Sequence, residues 1–146
     1  MYKYALAFFL VLVFGQYDYS LEDINSSSDY YGQDIGTSYF SNKVTIHYFG
    51  HFNWGLCSSR FGQLNSMFSD WQEQGLPVQL IGVGKDSHNS SLGNWTNNND
   101  TPVCADSSPF SSWSDWGASQ RDVFVLDHQG NVVLQQSTNS GIPNNL

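Results

Sequence analysis

The spacing of apolar residues changes repeatedly along the chain, and each change predicts an element. Val44-Thr45-Ile46-His47-Tyr48-Phe49 is dense in β-branched and aromatic residues, which predicts a strand. It is apolar on both faces, as suits a strand buried within a sheet. After a loop over residues 50–55 the period lengthens. Cys57, Phe61, Leu64, Phe68 and Trp71 recur at spacings of three and four, which places them on one face of a helix over residues 57–74. Gly75 and Pro77 end it. Val78-Gln79-Leu80-Ile81-Gly82-Val83 is a second strand, so strand, helix and strand form a βαβ unit with parallel strands.

The rest of the pattern is shorter and more polar. Residues 85–101 read as a long surface loop, residues 102–106 as a short strand and residues 110–117, with Trp113 and Trp116, as a short helix. Val123-Phe124-Val125-Leu126 and Val132-Val133-Leu134 are strands joined by Asp127-His128-Gln129-Gly130-Asn131, a tight turn in which Gly130 is free to adopt positive φ. The close spacing predicts an antiparallel hairpin. Residues 16–42 are rich in Tyr, Ser, Asp and Gly without apolar periodicity, which predicts a disordered linker. Residues 5–14 form an uncharged apolar run after Lys3 and before the small Gly15, the layout of a signal peptide over residues 1–15. The run is about half the roughly 20 residues of a membrane span. One domain over residues 43–146 and a secreted, extracellular location are therefore expected, with no membrane association after cleavage.

Charge and composition narrow the functional classes. The net charge is −8, and after Lys3 only Lys43, Arg60, Lys85 and Arg121 are basic. Such a chain is a poor ligand for nucleic acid or anionic lipid. Asn25, Asn89, Asn94 and Asn99 each begin an Asn-x-Ser/Thr sequon, so a secreted form is expected to be a glycoprotein at these sites. Cys57 and Cys104 are the two cysteines. Export favours a disulfide between them; two separate buried thiols are the alternative.

A cysteine at the head of a helix that follows a strand, within a β-α-β and hairpin order, resembles the thioredoxin fold. Trp54-Gly55-Leu56-Cys57 with Arg60 and Leu64 is similar to the active-site segment of the selenoprotein P amino-terminal domain family. Residues 78–89, Thr101-Pro102-Val103 and residues 121–130 resemble further segments of that family in the same order. The resemblance covers about residues 43–136. It implies an α/β fold with a central mixed four-stranded sheet and flanking helices. The chain stops about a dozen residues after the last strand, so the closing helix is expected to be missing. It also implies that Trp54 stands where the family carries a selenocysteine or cysteine, with Cys57 at the position of the second thiol.

That replacement decides the chemistry. A Cys-x-x-Cys pair attacks with an exposed thiolate and resolves with the second thiol. Trp54 can do neither, so a redox-degenerate binding or structural module is expected. The alternative is a thiol-disulfide oxidoreductase or peroxidase using Cys57, with or without Cys104, on a small thiol or peroxide. Trp54 either anchors an extracellular protein partner or plugs the vacated site. His51 is close enough in sequence to serve as a base; a solvated loop histidine is the simpler reading. His47 and His51 lie about 13 Å apart along a strand, too far to share a metal without a turn. No metal, cofactor, phosphate loop or serine elbow is expected, and Gly82-Val83-Gly84 stands alone.

Overall fold

The computed structural model describes residues 17–146. The expected signal peptide, residues 1–15, lies outside the described residues. Among the described residues no helix is long and apolar enough to cross a membrane. Two strands of two residues, β1 (Leu21–Glu22) and β2 (Asp34–Ile35), precede a five-stranded sheet. Its members are β3 (Val44–Phe49), β4 (Val78–Lys85), β5 (Val103–Asp106), β6 (Asp122–Leu126) and β7 (Val132–Ser137), in the order β5-β4-β3-β6-β7. β3–β4 and β4–β5 are parallel; β3–β6 and β6–β7 are antiparallel. The sheet is mixed, as expected, and the short strand over residues 103–106 makes it five-stranded rather than four-stranded. This is a thioredoxin-like α/β arrangement with an open sheet. No helix follows β7 among the described residues.

Alternation along the strands builds two cores. Ile46 and Tyr48 on β3, Leu80 on β4, Val103 on β5 and Val123 on β6 face one side. There they meet Cys57, Phe61, Leu64 and Phe68 of α1 (Gly55–Glu73). Gly75, at φ +72°, ends α1. Phe49, Ile81, Val83, Cys104, Phe124 and Leu126 face the other side. Trp113 of α3 (Ser111–Asp115) and Trp116 cover that side. Gly82 and Gly84 belong to the α1 face of β4 rather than to a phosphate loop. A Cβ at Gly82 would lie 2.7 Å from the Phe61 ring, and one at Gly84 2.2 Å from the Phe52 ring. Only glycine lets these rings lie against the sheet.

Two expectations for the polar segments are corrected. Residues 17–42 are ordered and packed, not a disordered linker. Ile35 and Phe40 are buried, and Tyr17, Tyr19, Leu21 and Tyr30 pack on the second core. The segment also joins the edge of β5. Ile24 N–H donates to the Val103 carbonyl at 2.8 Å, and an Asp23 carboxylate oxygen accepts the Val103 N–H at 3.0 Å. The loop after β4 is likewise structured. It contains α2 (Gly93–Thr96), whose Trp95 is buried with its ring 4.4 Å from that of Phe61.

The glycoprotein expectation is corrected by the same packing. Asn25 is only 1 % exposed, and its amide donates to the carbonyls of Asn99 and Thr101, both at 2.8 Å. Asn94 donates to Phe52 O and Asn99 to Trp95 O, both at 2.9 Å. The Asn25 nitrogen that would carry a glycan is therefore committed inside the fold, whereas Asn99 is half-buried and Asn94 is exposed. Asn89 is exposed.

The Tyr19 hydroxyl and Nδ1 of His47 share a hydrogen bond of 2.6 Å that ties the amino-terminal segment to β3. His47 is fully buried, and its Nε2 has no partner. Burial lowers its pKa from 6.5 to about 3, so the folded state holds it neutral. The unfolded chain takes up a proton near pH 6.5 that the folded chain refuses until about pH 3. Stability is therefore complete above pH 6.5 and falls as pH drops toward 3, by up to about 1.4 kcal/mol per pH unit from this group. Denaturant unfolding of the parent and of His47→Gln, which keeps a hydrogen-bonding group near Tyr19, should show a flatter pH dependence for the variant between pH 5 and 6.5.

Candidate functional site

The loops at the carboxyl ends of β3 and β4 meet the amino-terminus of α1. Trp54 precedes the first helical residue in extended backbone, with φ −110° and ψ 120°, and its carbonyl accepts the Ser58 N–H at 3.1 Å. No side chain caps this end, and no acidic residue stands in the first turn. Trp54 is 52 % exposed and Leu56 43 % exposed, whereas Cys57 is 0 % exposed. The helix turns Trp54 outward and Cys57 inward because Cys57 heads the apolar stripe of α1. The tetrapeptide thus places an indole at the surface and a thiol beneath it.

Cys57 is held by groups that sequence reasoning did not single out. The Gln120 amide donates to its Sγ at 3.3 Å, and the Tyr48 hydroxyl donates to its carbonyl at 3.2 Å. Gln120 lies in the connection before β6. The next residue, Arg121, adopts φ +72° and donates its N–H to Phe49 O at 2.7 Å, which closes the connection against the end of β3. Thr138, fully buried, donates its hydroxyl to Arg121 O at 2.9 Å. Arg60 on α1 donates to Thr138 O at 2.8 Å. The resemblance of Cys57 with Arg60 to the family's active-site segment is the one sequence feature that pointed toward this network.

The expected Cys57–Cys104 disulfide is not formed: both cysteines are free and buried. Cys57 belongs to the core on the α1 side and Cys104 to the core on the opposite side, so the sheet lies between them. Cys104 stands opposite Val83 on β5, and its thiol is directed to the Leu21 carbonyl at 3.6 Å. Burial, then the negative charges of Asp23, Asp34 and Glu22, push its pKa well above the ordinary thiol range. A displaced redox pair of Cys57 with Cys104 is excluded by the same separation.

His51 lies half-buried in the loop after β3. Its ring centroid is 4.6 Å from that of His88, 5.6 Å from Trp113 and 6.3 Å from Trp54. Burial and then the charges of His88, Lys85 and Arg121 lower its pKa to about 4. The hydrogen bond at Cys57 Sγ comes from Gln120, not from His51. Lys85 places its ammonium 4.5 Å from the Trp113 ring centroid and 4.7 Å from that of Phe110. His47 is buried on the far face, and among the described residues no three metal-ligating side chains come together.

No protein-family model matches this chain. No curated protein matches it either. Solved structures do match in fold. A secreted Mycobacterium tuberculosis disulfide oxidoreductase homologous to Escherichia coli DsbE superposes with a TM-score of 0.67 at 9 % identity, covering 86 % of this chain and 87 % of that one. StoA from Bacillus subtilis gives 0.64 at 16 % identity over 84 % and 89 % of the two chains. Yeast Sco1 gives 0.64 at 14 % identity over 86 % and 90 %. At these identities the likeness is one of fold, and that fold is thioredoxin-like.

The burial of both thiols has a direct readout. Native protein treated with a bulky aromatic disulfide reagent should release little colour, and denatured protein should release two equivalents without prior reduction. Mass spectrometry after alkylation should give the same two labelled thiols with and without reductant. A pair of thiols that appears only after reduction would contradict the placement of Cys57 and Cys104 in separate cores.

Proposed function

We propose that this chain is a redox-degenerate thioredoxin-like module, similar to the selenoprotein P amino-terminal domain, that binds a protein partner through the Trp54 loop. The observation that carries the reading is the exposed indole of Trp54 above the buried thiol of Cys57. A two-thiol cycle needs an exposed attacking sulfur and a second sulfur within reach. Cys104, on the far face, cannot serve as the second. An exposed Trp beside Leu56 is the kind of rigid apolar anchor that protein interfaces favour.

A second reading draws on the hydrogen bond from Gln120. That amide lies 3.3 Å from Sγ and gives the sulfur one polar contact, so a single-thiol oxidoreductase or peroxidase is the alternative. Burial at 0 % exposure weighs against it, since substrate must reach the sulfur. Insulin reduction with dithiothreitol, and peroxide consumption with thiol as reductant, separate the two. The expected result is background turnover in both assays for the parent and for Cys57→Ser alike. Turnover of the parent that disappears in Cys57→Ser would establish the second reading instead.

A further inference from the structure

Between α1 and α2 lies a polar groove of about 310 Å³ that Trp54 and Cys57 do not line. Gly62, Asn65 and Ser66 of α1 stand on one side of it, and Asn97 and Asn98 of the turn after α2 on the other. Asn99 fixes that turn. Its amide donates to Trp95 O and its Oδ1 accepts the Thr101 N–H, both at 2.9 Å. The buried rings of Phe61 and Trp95 make the floor. Five of the twelve residues around the groove are asparagine and three are serine, so amides and hydroxyls dominate its lining. Asp100 is the one ionisable residue among them.

Two observations point to a ligand here. The first is a pair of unused polar atoms. Trp95 is only 2 % exposed, and its Nε1 has no hydrogen-bond partner among the described residues. The six-membered edge of the indole is lodged against the sheet, where a Cβ at Gly50 would lie 2.8 Å from it and one at Gly82 3.0 Å. The opposite edge, with Nε1, is thereby turned away from the sheet toward the groove. On the α1 side, the buried Oδ1 of Asn65 has no partner either. A donor and an acceptor are thus both desolvated and unpaired around one space, which is costly unless something binds them. The second observation is Gly62. Glycine is a poor residue inside a helix, and packing does not demand it here, since a Cβ would meet nothing within 4 Å. Its effect is to keep the groove open.

We propose that this groove binds a neutral sugar unit. A phosphate group calls for cations or a nest of backbone N–H donors, and no Lys, Arg or His lines the groove. A bound calcium ion takes six to eight oxygens, usually with several carboxylates, and Asp100 is alone. An apolar ligand would leave the amides unpaired. A sugar hydroxyl both accepts and donates, so one ring can take the Trp95 N–H and donate to Asn65 Oδ1. The Asp100 carboxylate accepts from a further hydroxyl. The volume is at the low end of small-molecule sites, roughly 300–1,000 Å³, which suits a single ring rather than a long chain. This role is independent of partner binding at Trp54.

The test uses the full chain and saturation-transfer NMR. The probes are glucose, galactose, mannose and N-acetylglucosamine, each as the free sugar and as its methyl glycoside. N-acetylglycine N-methylamide serves as a neutral amide control. At least one sugar should receive saturation and shift the Trp95 indole N–H resonance to a plateau. Binding of the glycoside as well as the free sugar supports the proposal with the tip of a glycan as ligand; binding of the free sugar alone supports it with a soluble one. Gly62→Gln should raise the melting temperature by about 3 °C, because it removes a helical glycine, yet weaken sugar binding at least about tenfold by filling the groove. Trp95→Phe, which keeps a ring without the N–H, should weaken binding to a similar degree. Val133→Thr, on the exposed edge of β7, should leave it unchanged. Failure of every sugar to move the indole resonance would assign the unpaired groups to water and overturn the proposal. Undiminished binding in folded Gly62→Gln, or binding of the amide control as tight as that of the sugars, would also overturn it.

Discussion

Strand β3 is buried on both faces, and successive residues along it feed different cores. Ile46 and Tyr48 meet α1, while His47 and Phe49 meet Trp116 and the aromatic residues packed with it. The same alternation on β5 sends Val103 to one core and Cys104 to the other. A one-residue slip would exchange every one of these assignments. The parallel pairing of β3 with β4, residue for residue from Val44 to Phe49, holds the register. From it follow the position of α1, the separation of the two thiols and the convergence of loops at one end of the sheet.

Elements with a period were legible in the sequence. β3, α1, β4, β6 and β7 all announce themselves by alternation or by an apolar stripe, and their order is enough to suggest the thioredoxin-like fold. The segments that escaped are ordered by tertiary contacts rather than by local pattern. Tyr19 is fixed by His47, Asn25 by carbonyls of residues 99 and 101, and Trp95 by Phe61, each across more than twenty residues of sequence. A Tyr-, Ser- and Asp-rich stretch gives no sign of such partners, so it reads as disordered. The site was legible in the same uneven way. Trp54 and Cys57 stand in a recognisable tetrapeptide, whereas Gln120 touches Cys57 from sixty-three residues away, through a turn that no short-range rule predicts. The cysteine count favoured a disulfide because it carries no information about sheet faces.

What the loop retains is as informative as what it lacks. The strand, the uncapped helix start, the buried fourth residue and the connection through Gln120 and Arg121 are all in place. The exposed position carries a rigid aromatic surface, Trp54, which cannot attack a disulfide. The loop presents an indole, which packs beside His51, itself in contact with the buried Trp113 under Lys85. Binding through such a surface needs no second thiol, so the proposed role is compatible with the isolation of Cys104 on the far face.

The central claim is that Trp54 occupies the reactive position of an otherwise intact thioredoxin-like loop. Trp54→Cys tests it most directly, because it exchanges the exposed indole for a second sulfur three residues before Cys57. The account predicts that the folded variant, once oxidised, loses two titratable thiols on forming a bond to Cys57, and reduces insulin at least about tenfold above the parent. A folded Trp54→Cys protein that forms no such bond and gains no turnover would contradict the assignment of this loop.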